Sequence, residues 1–575
     1  MKRVLIVVLL ASLLGLIWFS HRLAGVRIYH ADECQNAFMA RVIATGQTKL
    51  FLADTGLFQA GVLSWLARGA SQSVEILVAA RFVMLEIFWL NVILIALATG
   101  ERLLSIRGLA ALIGAATLAP LWDFGFEVRP DNLVLCGVLL MWCAVRNRPA
   151  GRQPYLIAGV LTAGLSFISL RALAFAVPIS AAMLAFPPPG QAAPRRQLAM
   201  AWVAAALGML LVIVLGYRAA GFWPMQWAQL GAATREGGQW HGEVLKETLS
   251  RLLQQAPLLL AVTAAALGTV TLEIRRRGRA VLSWDGLLPE ALLFVGAFAT
   301  LLLTRVPEPY HLLQVVPFAY LLAYRYAVGL MNGAWERPEF RPVLVALLVF
   351  GYFVPFGLAT RRHLAFTNYH QEARMRLAEG LTDPARDAIY DGVGMISCRP
   401  AVGFGWVLPN VAQHDTGMTE GARWKGLLAT QPPAAILPNY RTDQLPAECH
   451  TYIKEHYVPL SDDFWVLGKV LPAGGGRFDI AHGGRYRIAS LKGSDLAGTY
   501  PAGLAGLLAP QEEGSLTGTL DGLPLSNRPV ELKAGAHTIA TKADERPTVV
   551  WVGSKQDRLG RLGESDHRFL FIKWY

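Results

Sequence analysis

Residues 29–47 read Tyr29-His30-Ala31-Asp32-Glu33-Cys34-Gln35-Asn36-Ala37-Phe38-Met39-Ala40-Arg41-Val42-Ile43-Ala44-Thr45-Gly46-Gln47. Shortly before them, residues 3–19 form an apolar run behind the basic start Met1-Lys2-Arg3, long enough to cross a bilayer as helix. A signal peptide opens the same way. Here no small-residue cleavage site follows and more apolar runs come later, so the run reads as a retained first span with its N-terminus inside. Two adjacent carboxylates, a histidine and a short amphipathic helix then fall at a membrane surface. Ionisable residues beside hydrocarbon cost free energy, which points to function. The competing reading is a solvated loop with Asp32 as a helix N-cap.

Working outward, the 575-residue chain is 54% hydrophobic and only 16% charged, with a mean hydropathy of +0.37. That is too apolar for an ordinary soluble protein. The excess falls in blocks at 76–99, 109–122, 132–145, 155–170, 172–186, 198–216, 256–272, 287–303, 311–328 and 342–359. Beyond about residue 360 the chain turns polar. The expected fold class is an α-helical polytopic membrane protein of about eleven transmembrane helices, with a C-terminal soluble domain running from α/β to β-sandwich. The expected domains are a membrane region, 1–360, and an extracytoplasmic domain, 361–575, β-rich from about 470.

Charge orients the spans. Alternating the blocks from an inside N-terminus puts Arg102, Arg107, Arg146, Arg152, Arg195, Arg196, Arg275–Arg277, Arg279, Arg325 and Arg341 in inside connections, as the positive-inside bias requires. The external connections, 20–70, 123–131, 217–255 and 304–311, hold Asp32, Glu33, Asp123, Glu127, Asp131, Glu236, Glu243, Glu247 and Glu308. The net charge of +12 is therefore a feature of membrane orientation. No basic patch with interleaved aromatics appears, so nucleic acid is not expected as a partner. In the loop 217–255, Trp223, Trp227 and Trp240 read as headgroup anchors or as the lining of a sugar or lipid groove. Residues 243–255 read as an interfacial amphipathic helix.

In the soluble domain, 369–390 reads as helix with Arg374, Arg376, Glu379 and Arg386 exposed, and Ala388–Gly394 as a strand entering a turn. Short β-type runs at 477–480, 485–488, 530–532 and 537–539 suggest a small antiparallel sandwich. Of the five cysteines, Cys136 and Cys143 read as buried thiols, and Cys398 and Cys449 as partners for a disulfide if the domain lies outside the cytoplasm.

Three further external clusters carry chemistry-bearing residues. Asp123-Phe124-Gly125-Phe126-Glu127-Val128-Arg129-Pro130-Asp131 holds three carboxylates and an arginine. It reads either as a working site or as an internal pair of Arg129 with Glu127 or Asp131. Arg171 ends a short apolar block and either snorkels or offers forked donors to a phosphate. Arg305-Val306-Pro307-Glu308-Pro309-Tyr310-His311 precedes the tenth span. Carboxylates (Asp32, Glu33, Asp131) with cations (Arg129, Arg171, Arg305, His311) on one face suit transfer from a lipid phosphate. The carboxylate takes a proton from the acceptor hydroxyl and the cations stabilise the departing phosphate. His30, Glu127 and Tyr310 are the neighbouring candidates for substrate contact.

These segments carry a family resemblance over roughly residues 1–360. Asp32-Glu33 with Ala37, Ala40-Arg41 and Gly46 resembles the first-loop motif of the GT-C glycosyltransferases, nearest to protein O-mannosyltransferases and the lipid A aminoarabinose transferase. Arg129-Pro130-Asp131 is similar to the second-loop acidic motif. Gly164 through Arg171 resembles a family segment ending in Thr-Lys, with arginine replacing the lysine. Tyr310-His311-Leu312-Leu313-Gln314-Val315-Val316-Pro317 resembles a later Tyr…Leu…Pro span.

The resemblance implies inverting transfer of one sugar from a polyprenyl-phosphate donor to an envelope acceptor (lipid, glycan or protein). Asp32 would be the base with Glu33 supporting it, Asp131 would lie near the acceptor or a metal, and Arg171 near the donor phosphate. Some relatives use a divalent cation. Mg²⁺ or Mn²⁺ on oxygen ligands such as Asp32 and Asp131 is compatible with the residues, which do not demand it. The partners expected are the lipid-linked donor, membrane lipids and the acceptor. The short loops and the lack of an obvious glycosylation sequon fit a bacterial inner membrane, with the C-terminal domain periplasmic. The other classes are a transporter or flippase of lipid-linked sugar and a carbohydrate-binding scaffold. Against the transporter, the halves show no internal repeat and the charges gather at one face instead of the midplane.

Overall fold

The computed structural model describes residues 2–47, 57–146, 151–185, 193–223, 242–277, 286–304, 307–334, 339, 341–402, 421–491, 517–526, 528–554 and 570–571. The chain divides into two compact units. The first comprises Met1–Arg27, Leu52–Val62 and Val78–Phe366, and the second Ile28–Phe51, Leu63–Leu77 and Thr367–Tyr575.

The first unit is helical. Among the described residues, six helices are long and apolar enough to cross a membrane: Lys2–Val26, Ser73–Ala98, Arg195–Ala219, Pro257–Arg276, Pro309–Leu330 and Pro342–Ala365. Shorter apolar helices occupy Ile106–Ala116, Gln153–Ile168, Leu170–Leu184 and Leu288–Leu303. The outer spans leave large apolar side chains bare, among them Val4, Leu14 and Trp18 on the first and Leu207, Leu211 and Val212 on Arg195–Ala219. In a water-soluble protein such patches would be a liability, whereas in hydrocarbon they are at home. The apolar block 109–122 is not one span. The helix Ile106–Ala116 ends, and Ala119–Phe124 starts afresh with Pro120 in its first turn, where a missing N–H costs nothing. Residues 243–255 lie within the helix Gly242–Gln255, which buries Leu245, Thr248 and Leu252 on one side.

The second unit contains two sheets. Its strands are β1 (Ile389–Tyr390), β2 (Ala435–Ile436), β3 (Tyr457–Ser461), β4 (Phe464–Val470), β5 (Gly475–Ile480), β6 (Gly484–Leu491), β7 (Gly518–Leu520), β8 (Leu523–Pro524), β9 (Val530–Leu532), β10 (Gly535–Thr541) and β11 (Arg546–Trp551). One sheet runs β1-β2-β4-β11-β6-β9 with β3 also on β4, and the other runs β5-β10-β7-β8. The larger sheet is mixed, because β1 and β2 pair in parallel (Ile389 with Ala435). Within the last hundred residues every described strand pair is antiparallel, as expected, and β1 to β4 extend the larger sheet from earlier in the domain. All five cysteines are free, so Cys398 and Cys449 do not form the expected disulfide.

The helix after the last span covers Tyr369–Leu381 and stops short of 390. Two of its charges expected in water are buried. Arg374 donates from Nε to Asp463 at 3.0 Å, and Glu379 accepts from the Ser73 hydroxyl at 2.6 Å. Each partner lies far away in sequence, beyond the reach of a local pattern. After β1 the chain turns sharply. The Asp391 carboxylate accepts from the N–H groups of Val393 (2.8 Å), Gly394 (2.6 Å) and Ile396 (2.7 Å). Gly394 has φ +75°, and a Cβ there would sit 2.8 Å from that of Phe38. Left-handed backbone and close approach both require glycine.

Candidate functional site

In the second unit the opening segment folds as the helix Ala31–Ala44. Its cap is His30, not Asp32. His30 Nδ1 accepts from the Asp32 N–H at 3.3 Å, and the Glu33 carboxylate accepts from the His30 N–H at 2.9 Å. This is a reciprocal cap, worth about 1 kcal/mol. The Asp32 carboxylate also lies 3.8 Å from His30 Nδ1. A backbone N–H can only donate, so that nitrogen is an acceptor and the pair is not an ion pair through it. Glu33 is fully buried and engaged at the cap, whereas the Asp32 side chain keeps 27% of its surface exposed. The helix is not amphipathic as expected. Gln35 and Asn36 are buried along with Cys34, Ala37, Phe38 and Met39.

Tyr440, which the sequence did not single out, belongs to this neighbourhood. Burial pushes its phenol up, the Arg441 guanidinium opposes that, and the Asp32 carboxylate adds to it. The Arg441 guanidinium stands 4.9 Å from the Tyr440 ring centre. Asn439 holds this loop by donating to the carbonyls of Asp391 (2.6 Å) and Leu437 (2.9 Å).

In the first unit the cluster 123–131 is buried and paired. Glu127 accepts from Arg27 on one oxygen and from Arg129 Nε at 2.8 Å on the other. The internal Arg129–Glu127 pair is therefore present, with Arg27 as an added second cation. Arg129 also stacks 3.9 Å above the Tyr310 ring centre, a favourable use of a desolvated guanidinium. Asp123 accepts from His363 Nε2 at 2.8 Å, from Gln255 at 2.5 Å and from Arg362. Pro130 opens the helix Pro130–Arg146 with Asp131 in its first turn, where a negative charge suits the helix dipole. Asp131 accepts from Gln314 Nε2 at 2.9 Å.

Arg171 lies in the 3₁₀ turn Leu170–Ala172 between two helices and is exposed. Its guanidinium meets His311 Nε2, while His311 Nδ1 stands 3.1 Å from the Glu308 carbonyl. Arginine cannot accept, so Nε2 is the acceptor and Nδ1 carries the proton. In this arrangement His311 orients Arg171 and is not itself a second cation. Arg305 lies outside the described residues, as do Trp227 and Trp240. Arg27 and Arg81 escaped the sequence reading, and Gln314 stood in the segment Tyr310 to Pro317 without a role of its own. Arg81 offered a signal, a charge inside an apolar block, and it donates to the carbonyls of Ala24 (3.3 Å) and Arg27 (2.5 Å). Among the described residues no three His, Cys, Asp or Glu side chains converge on a metal position, so no step is assigned to Mg²⁺ or Mn²⁺.

No protein-family model matches the sequence, and no curated protein does. Solved structures do. ArnT from Cupriavidus metallidurans, the lipid A aminoarabinose transferase, superposes with a TM-score of 0.52 in the apo state and 0.50 bound to undecaprenyl phosphate. In both cases the identity is 13%, over 80% of this chain and 97% of that chain. At that identity the likeness concerns architecture. The chain shares the fold of these structures, a polytopic helical membrane region with a C-terminal sheet-bearing domain.

Proposed function

We propose that this protein is an inverting glycosyltransferase that moves a sugar from a polyprenyl-phosphate donor to an envelope acceptor at the external membrane face. The observation that carries the reading is the contrast within the first-loop pair. Glu33 is engaged at the helix cap, and Asp32 beside it remains accessible on the first turn of a capped helix. A fixed, accessible carboxylate suits a general base. The proposed orientation puts the N-terminus in the cytoplasm, with both the first loop and the C-terminal domain outside.

Asp32 takes the proton of the acceptor hydroxyl, whose oxygen attacks the anomeric carbon as the bond to the lipid phosphate breaks. Displacement from the opposite face inverts the configuration. Arg171, oriented by His311, provides forked donors to the departing phosphate. The buried Arg129, whose Nε–H is held by Glu127, contributes field.

The test is sugar transfer by membranes carrying wild type and Asp32→Asn, using radiolabelled polyprenyl-phosphate sugars and envelope extract. Abolished transfer at normal expression supports the base. Transfer at the wild-type rate by Asp32→Asn removes it, and the labelled product identifies the acceptor.

A further inference from the structure

Gln371 lies on the helix Tyr369–Leu381 and is 1% exposed. A buried amide has four hydrogen-bonding positions to satisfy, and an unmet one is costly. Gln371 spends three of them on two distant stretches of backbone. Its Oε1 accepts from the Tyr29 N–H at 2.7 Å, and its Nε2 donates to the Tyr29 carbonyl at 3.0 Å and to the Leu570 carbonyl at 2.7 Å. The side chain thus grips both polar groups of Tyr29, as a neighbouring strand would. The next residue, His30, forms the reciprocal cap with Asp32 and Glu33. With the Tyr29 peptide groups held, the path to Asp32 has little freedom left.

Two other contacts of the same unit bear on this segment. The Tyr29 hydroxyl donates to Glu372 Oε1 at 3.0 Å, and Phe38 packs against Gly394 in the turn organised by Asp391. Neither holds the backbone next to His30. Gln371 does.

We propose that Gln371 is a positioning residue for the Asp32 carboxylate, through which the C-terminal region sets the geometry of the first loop. This rests on the reading of Asp32 as the base. Mispositioning a base by about an ångström costs on the order of a hundredfold in rate without weakening donor binding.

The decisive variant is Gln371→Met, close in shape but unable to make these bonds, in the full-length protein in detergent. Wild type, Asp32→Asn and Tyr29→Phe accompany it. The expected result for Gln371→Met is a wild-type yield and thermal transition with kcat down roughly 10–100-fold and donor KM within about twofold. Its amide hydrogen exchange should be faster at Tyr29–Glu33. Tyr29→Phe, which keeps the grip and loses only the hydroxyl contact, is expected to stay within about threefold of wild type.

Wild-type kcat and exchange in Gln371→Met overturns the proposal, as does a matching loss in Tyr29→Phe. A loss of kcat that tracks the amount of folded protein also overturns it. If wild type transfers nothing, the functional reading fails instead. In that case unchanged exchange at Tyr29–Glu33 still removes the positioning role, and accelerated exchange sustains the hold on the segment.

Discussion

Two acidic stretches, Asp32-Glu33 and Asp123 to Asp131, look alike in sequence, each a cluster of carboxylates beside an apolar span. Folded, they are used differently. In the second, Glu127 sits between two guanidiniums, Asp123 among three donors, and Asp131 against Gln314, with exposures of 2%, 2% and 7%. In the first, one carboxylate is consumed by the helix cap and the other stays accessible. A run of charge next to hydrocarbon therefore has two meanings. It braces helices where the groups are buried against partners, and on the proposed reading it serves chemistry where a carboxylate keeps part of its surface open.

That contrast can be broken by substitution. Asp32→Asn should lower transfer by roughly 10²–10⁴-fold while the protein still reaches the membrane in normal amount. Equal loss in Asp131→Asn would erase the distinction between the stretches. Glu127→Ala should do the opposite and damage the fold first. It strands Arg27 and Arg129 in a dry interior at about 3–5 kcal/mol, seen as a sharply reduced yield of folded, monodisperse protein. Should Glu127→Ala fold normally and lose only activity, the bracing role would be wrong.

Acid provides a third comparison, confined to the second unit. Burial works against the charge on Asp463, but His370, Arg374 and Ser461 outweigh it and hold the carboxyl at about 2 against an ordinary 3.8. A depressed carboxyl contributes its full stability above about pH 4 and loses it as pH falls toward 2. The amount is about 2 kcal/mol. Asp463→Asn should flatten the acid limb of unfolding monitored by far-UV circular dichroism. The smallest effect is expected from Glu33→Gln, about 1 kcal/mol of helix stability and a severalfold drop in transfer. A loss as deep as that of Asp32→Asn would return Glu33 to the chemistry.

The spans were legible because apolar runs of fixed length leave a strong local signature, whereas the break in 109–122 at Pro120 went unread because the run stays apolar across it. The helix Pro130–Arg146 was legible too, as the apolar block 132–145. What stayed hidden depends on partners 89 to 342 residues apart. Arg374 and Glu379 look like solvent-facing charges until Asp463 and Ser73 arrive, and Gln371 has no local pattern at all. His30 was visible as a chemical group but not as the cap, since Asp32 is the more usual capping residue.

Tyr29 and Gln371 are 342 residues apart in the chain, and this separation has a consequence for synthesis. A ribosome finishes the N-terminal span long before it reaches the helix Tyr369–Leu381, so the segment around Asp32 must wait through the insertion of every later span before its backbone finds its partner. Contacts of such long range form late and slowly. The proposed base would then be among the last parts of the molecule to take shape, and a chain halted at residue 366 would have its membrane helices without a properly set Asp32.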